Sequence, residues 1–259
     1  MRGRRFAAVA TLSVTVMLSV LGCSGGSAAP AASVAPTAAK VSPSTAAAGF
    51  TVSGIRPVPP NGSQDTRAQA AGATCDSAQL AADKQLGNTI ADGFAAARFP
   101  AAADLLRHFL AGRGTRVNYP AGSRISRLAG ASSAFVAMNR QVQADVAGRL
   151  KGGDVRVRLA AGQLPTVTFG DSSSDLSWSF RGTQGLTVSG SGHTEHGRYV
   201  GTLTYVIADS YGFPVDDTLG GFGPPMRYLQ TVCGAPQYAE GARWFPDTVT
   251  VTVRFDQPA

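Results

Sequence analysis

Apolar residues recur along this chain with two different periods, and the change falls at Gly152-Gly153. Before that pair the spacing is helical. Leu80, Ile90, Phe94 and Ala97 fall on one face of a first helix, which Gly87 and Gly93 weaken. Pro100 suits the first position of a second helix, Asp104 lies near its positive end, and Gly112 suits the position just past its end. The stripe of that helix is Leu105, Leu106, Phe109 and Leu110. A third helix is predicted from about Ser132 to Leu150, with Phe135, Met138, Val142, Val146 and Leu150 at helical spacing. After the glycine pair the period becomes two. Val155-Val157-Leu159, Val167-Phe169, Leu176-Trp178-Phe180, Leu186-Val188, Leu203-Tyr205-Ile207 and Val249-Val251-Val253-Phe255 each alternate with polar residues. Short alternating strands joined by Gly, Asp and Ser turns predict an antiparallel sheet with one wet face. Helices first and strands afterwards predict an α+β domain over residues 74–259, its N-terminal helices packed on one face of a C-terminal antiparallel sheet. There is no internal repeat.

Residues 1–73 follow neither period. Arg2, Arg4 and Arg5 precede an uncharged apolar run from Phe6 to Leu21, which ends at Leu21-Gly22-Cys23. A cationic start, a short apolar stretch and a small residue before the break make a secretory signal over residues 1–22. The run is shorter than the roughly 20 residues a membrane-spanning helix needs. The ending resembles the lipobox of bacterial lipoproteins. That resemblance implies cleavage before Cys23 and a diacylglycerol on its thiol, so that acyl chains anchor the protein in a membrane; two chains hold stably where one does not. From Cys23 to residue 73 the chain is mostly Ala, Ser, Gly, Pro and Thr, and it reads as a flexible tether reaching roughly 40 Å. Phe50-Thr51-Val52-Ser53-Gly54-Ile55 is its one strand-like interruption, a segment with the pattern to dock on the domain.

Charge narrows the setting. The chain carries a formal +7, but the signal holds three of its 23 basic residues and no acid, leaving 20 basic against 16 acidic residues. That balance supports at most a weak attraction to anionic lipid or wall polymer, and an exported protein does not meet nucleic acid. The basic residues are arginines except for Lys40, Lys84 and Lys151; with the many alanines and glycines this resembles lipoproteins of actinobacteria. With Cys23 assigned to lipid, Cys75 and Cys233 remain. In an oxidising compartment such a pair is expected to form a disulfide, the alternative being two separate buried thiols. No Cys-x-x-Cys or Cys-His cluster accompanies them to suggest a metal, and no cofactor is expected.

Three segments carry candidate chemistry. Thr166 to Ser172 reads Thr-Val-Thr-Phe-Gly-Asp-Ser and resembles the Phe-Gly-Asp-Ser block of the GDSL hydrolases, which implies Ser172 as nucleophile. The Gly-x-Asn-Asp element and the late Asp-x-x-His of that family are missing, and without a base the hydroxyl is a weak nucleophile. A hairpin turn is the preferred reading. His193-Thr194-Glu195-His196 holds two of the three histidines, the other being His108 on the second helix; among Gly190, Gly192 and Gly197 it reads as a solvated hairpin tip. Asp209 to Pro246 is long, rich in Gly and Pro, and aromatic, with a short helix expected from Pro225 to Thr231. Its Asp209-Ser210-Tyr211-Gly212-Phe213 is similar to the Asp-x-Tyr-Asp sequence of colicin M-like toxins, although Gly212 replaces the second aspartate and no His-Arg pair follows. If the domain has a ligand site, Asp209, Tyr211, Asp216, Asp217, Tyr228 and Trp244 are expected to line it; the alternative is that these aromatics close the end of the sheet. No catalytic residue or metal ligand is assigned. The expectation is a membrane-anchored, extracytoplasmic binding or interaction module with an envelope ligand or protein as partner. The alternative is an envelope hydrolase depending on a serine or on carboxylates.

Overall fold

The central strand of the domain is β5, Arg198–Tyr211, because both of its neighbours pair with it along most of their length. In the computed structural model, which describes residues 49–58, 74–170, 174–180, 184–213, 220–235, 237–238 and 240–259, all these residues belong to one unit, residues 44–259. The expected signal segment, Cys23, Ser172, Asp216 and Asp217 lie outside the described residues. The elements run β1 (Gly49–Arg56), α1 (Ser77–Ala96), α2 (Pro100–Leu110), β2 (Val117–Tyr119), α3 (Arg124–Ala131), α4 (Ser133–Lys151), β3 (Arg156–Leu159), α5 (Asp175–Ser179), β4 (Gly185–Glu195), β5, α6 (Gly223–Thr231) and β6 (Phe245–Pro258). The fold is α+β, and none of these helices is long and apolar enough to cross a membrane.

The sheet order is β2-β6-β5-β4-β1-β3. Its middle four strands are antiparallel as expected, but β2 joins β6 in parallel and β3 joins β1 in parallel, so the sheet is mixed. One face is buried. Phe50 and Val52 on β1, Leu186 and Val188 on β4, Leu203, Tyr205 and Ile207 on β5 and Val249 on β6 pack with Phe135, Met138, Val142 and Val146 of α4. The other face is wet, and Thr51, Ser53, Ser189, Ser191, Thr202 and Thr252 are exposed there.

The helix signals hold closely. Pro100 opens α2, and Ser132 caps α4 by accepting from the Phe135 N–H at 3.2 Å. Gly87 stands inside α1 for a packing reason: a Cβ there would lie 2.7 Å from a Leu110 methyl, so the glycine lets α1 approach α2.

Three expectations need correction. Residues 49–56 are not part of a tether, because β1 lies between β4 and β3 with Phe50 and Val52 buried; its alternating apolar residues fill the sheet's core face. Residues 167–169 make only an isolated bridge at Thr168. Leu176-Trp178-Phe180 is not a strand, since Asp175–Ser179 is helical. Leu176 and Phe180 are four residues apart, a spacing that a helix turn satisfies as well as a strand. The Ser174 hydroxyl then decides for the helix by accepting from the Ser177 N–H at 3.3 Å.

Candidate binding cleft

A second apolar cluster lies around the C-terminal end of β5. It is built from Leu80 and Ala91 of α1, Leu105, Leu106 and Phe109 of α2, Met226 and Leu229 of α6, and Phe213, Cys233 and Phe245. A disulfide between Cys75 and Cys233 joins the chain just before α1 to the chain just after α6. Beside this cluster is a cleft lined by Phe94, Leu106, Ser177, Trp178 and Ser179, by the run Asp209–Phe213 leaving β5, and by Phe222. It holds about 540 Å³ of space, its open mouth included.

Aromatic rings make most of the wall. Trp178, half-buried on α5, has its ring centroid 5.1 Å from that of Phe94 and 6.5 Å from that of Phe222. Phe222 lies 6.2 Å from Phe213, and Phe213 lies 6.1 Å from Tyr211. Tyr211 stacks on Phe245 at 5.3 Å and 19°. The hydroxyls of Ser177 and Ser179 donate to the carbonyls of Ser174 and Asp175 at 2.9 and 2.7 Å, inside their own helical turn.

The acid in the wall has a neighbour. Asp209 is paired with Asp247 across β5 and β6. Both continue the buried-face alternation, two residues on from Ile207 and two before Val249, so their carboxyls stand side by side on the helix-covered face. Directly opposed Cα atoms in an antiparallel pair are about 4.5–5.5 Å apart, and like charges there repel. One Asp209 oxygen accepts from the Ser210 N–H at 2.8 Å. Asp247 is 0% exposed, and neither of its oxygens has a hydrogen-bond partner. Burial, and then the charge of Asp209, holds the Asp247 carboxyl well above the usual carboxylate range; its own backbone N–H, close by but outside hydrogen-bond geometry, and the charge of Arg116 pull the other way and do not offset this. Tyr119 of β2 is pushed up by burial and then by the charge of Asp247, with smaller effects from Asp104 and Asp175.

Asp175 shows what a satisfied buried acid looks like in the same molecule. It accepts from the Ala102 N–H at 2.9 Å and the Ala101 N–H at 3.3 Å, at the start of α2, and from Arg124 at 2.7 Å. Phe99 offers α2 no side-chain cap, and Asp175 supplies that function from 74 residues away.

The candidate residues divide. Asp209 and Tyr211 line the cleft. Tyr228 on α6 packs against the second cluster without lining the cleft, and its hydroxyl accepts from the Asp76 N–H at 2.9 Å. Trp244 is half-buried against Gly212 rather than in the cleft wall. The hairpin histidines are remote. His196 and Gly197, with φ of 48° and 72°, form the two-residue turn between β4 and β5, and 11 residue steps of strand, roughly 35 Å, separate Arg198 from Asp209. His193 and His196 face Glu195 at 3.4 and 3.6 Å, and among the described residues no group of three or more potential ligands could hold a metal ion. His108 is half-buried: its Nε2 lies 2.9 Å from the Thr115 carbonyl, and its ring packs on Phe245. Phe169 and Gly170 line a separate hollow with Ser132 and Ser133, and no histidine is among its described lining residues. Sequence reasoning missed Asp247, Trp178 and Phe94 as parts of the site.

Comparison with protein-family models, with curated proteins and with solved structures gives no match for this chain.

Proposed function

We propose that this protein is an envelope lipoprotein, anchored through Cys23, whose domain binds a small ligand in the cleft at the end of β5. The observation that carries the reading is the cleft wall itself. An arc of rings beside a carboxylate, seated on a strand end and three helices, is the make-up of a ligand site: apolar contact area with a few placed polar groups. Aromatic walls give large contact area at low entropy cost. A lipid anchor would place such a site at a membrane surface, where envelope lipids and wall fragments are at hand. A carboxylate-dependent hydrolase is the second reading, favoured by the Asp209–Asp247 pair, since unlike protonation of neighbouring acids is what acid–base catalysis uses. It stands second because Asp247 is fully buried, away from any substrate.

The binding reading is tested with Trp178 as the reporter. The chain has two tryptophans, so Trp244→Phe leaves Trp178 as the sole indole. Full-length protein in nonionic detergent is titrated with a panel of lipid headgroups and wall fragments. Saturable change in Trp178 emission is expected, and Trp178→Ala is expected to lose that binding by calorimetry while costing less than about 2 kcal/mol of stability, below the figure for a core aromatic. No response to any compound would remove the reading. The anchor is tested separately: Cys23→Ala is expected to abolish fatty-acid labelling, and unchanged labelling would refute it.

A further inference from the structure

We propose that the ligand of this cleft is an organic cation, an ammonium group received by the aromatic arc and by the Asp209 carboxyl, with Asp247 buried behind it. The inference rests on the binding reading and names the chemical class that it leaves open. Two independent observations carry it. The first is the wall: Phe94, Trp178, Phe222, Phe213 and Tyr211 follow one another at centroid spacings of 5.1 to 6.5 Å, and none of the described lining residues is basic. Ring faces carry negative potential and attract cations, tryptophan most strongly, and a ring of such faces is how proteins hold quaternary ammonium groups. The second is Asp247, a fully buried acid whose two oxygens have no partner, directly across the ladder from the acid that lines the cleft. A buried polar group without a partner is costly, and a bound group or ion is one of the explanations for keeping it. A cation held beside Asp209 would also lie near Asp247 and offset the cost of its burial. An anion would be repelled by the Asp209 carboxylate, and a neutral polyol would leave Asp247 as it is.

Among the described residues, few charged and titratable groups act on Asp247. Asp209 faces it from β5, and Tyr119 faces it from β2; Arg116, just before β2, is exposed. From the helices, Asp104 of α2 and Asp175 of α5 act on Tyr119, and His108 of α2 packs on Phe245, two residues before Asp247. None of these supplies a buried positive charge. An entering cation therefore favours ionisation of Asp247, with the proton released to solvent, and binding tightens as pH rises.

The test compares two probes of one shape and different charge on the full-length Trp244→Phe protein in nonionic detergent: choline, and its uncharged carbon analogue 3,3-dimethylbutan-1-ol. Choline is expected to bind at least roughly tenfold more tightly, the sum of a desolvated cation–π contact and a carboxylate. That ratio is expected to grow with pH. Asp209→Asn and Asp247→Asn are each expected to weaken choline by about tenfold and to leave the alcohol unchanged; retained alcohol binding shows that either variant is folded. Equal affinity for the two probes, or binding of panel compounds with no response to choline, overturns the cation and leaves the cleft reading standing. If neither probe nor any panel compound binds, the cleft reading fails and this inference fails with it.

Discussion

Asp247 and Asp175 are both almost fully buried acids, and the difference between them is their partners. Asp175 has two backbone N–H groups and Arg124, whereas Asp247 has none. The difference gives a pH prediction. The folded carboxyl of Asp247 is raised, so the folded chain holds a proton that the unfolded chain has already released. Stability therefore falls as pH climbs from the ordinary carboxylate range to the raised folded value, and its full benefit is present only below that window. Asp247→Leu, close in volume and apolar, is expected to remove this slope and to stabilise the protein by about 1–3 kcal/mol near pH 8, with a smaller gain near pH 4.5. Urea midpoints at the two values check it; equal midpoints for variant and parent at both would show that Asp247 costs nothing. The placement of Asp247 was open to reading in the sequence. The alternation Val249-Val251-Val253-Phe255, run backwards, puts Asp247 and then Phe245 on the buried face. Its pairing with Asp209 was not, because register across β5 and β6 is set by the whole ladder and not by local pattern.

At the scale of elements, legibility followed the local signals. The ends of α2 and α4 were readable because Pro100, Ser132 and Gly152-Gly153 act within a few residues of themselves. Strand β2 was not, since Val117–Tyr119 is three residues long and owes its form to the neighbouring Val249 segment. Helix α5 was misread because two apolar residues four apart suit both periods. The largest revision concerns β1, which composition places in a flexible tether and alternation places in the sheet. Phe50 decides between them. It is 4% exposed and its ring meets Phe255 at 5.6 Å and Tyr199 at 6.1 Å. Phe50→Ala is expected to cost about 3–5 kcal/mol, as for other core aromatics, and Thr51→Ala beside it, on the wet face, within about 0.5 kcal/mol. Denaturant midpoints of the two variants check this. A neutral Phe50→Ala would return the segment to the tether.

At the scale of the molecule, the two apolar clusters divide the work. The larger one, between α4 and the middle of the sheet, holds the fold; the smaller one, around α1, α2, α6 and the end of β5, holds the wall of the cleft. The disulfide belongs to the smaller one. It links positions 158 residues apart in the chain, so it constrains the unfolded state strongly, by about 4–5 kcal/mol in the chain-entropy account. Its effect on the folded state is local, because Cys233 is buried among Phe109, Met226, Leu229 and Phe245. Of these, Phe109 packs on Phe213 and Tyr211, two members of the aromatic arc, and Phe245 packs on Tyr211. Replacing both cysteines by serine is therefore expected to do two things. Stability should fall by up to about 4–5 kcal/mol, read as a lower urea midpoint. Under conditions where the variant is still folded, Trp178 should report weaker binding of the cleft's ligand, while the α4 side of the sheet keeps its hydrogen-exchange protection, since local opening draws on the least constrained unit first. Uniform loss of protection across both clusters would show instead that the two fold and open as one body, and that the cleft takes its shape from the whole sheet rather than from the bridge behind it.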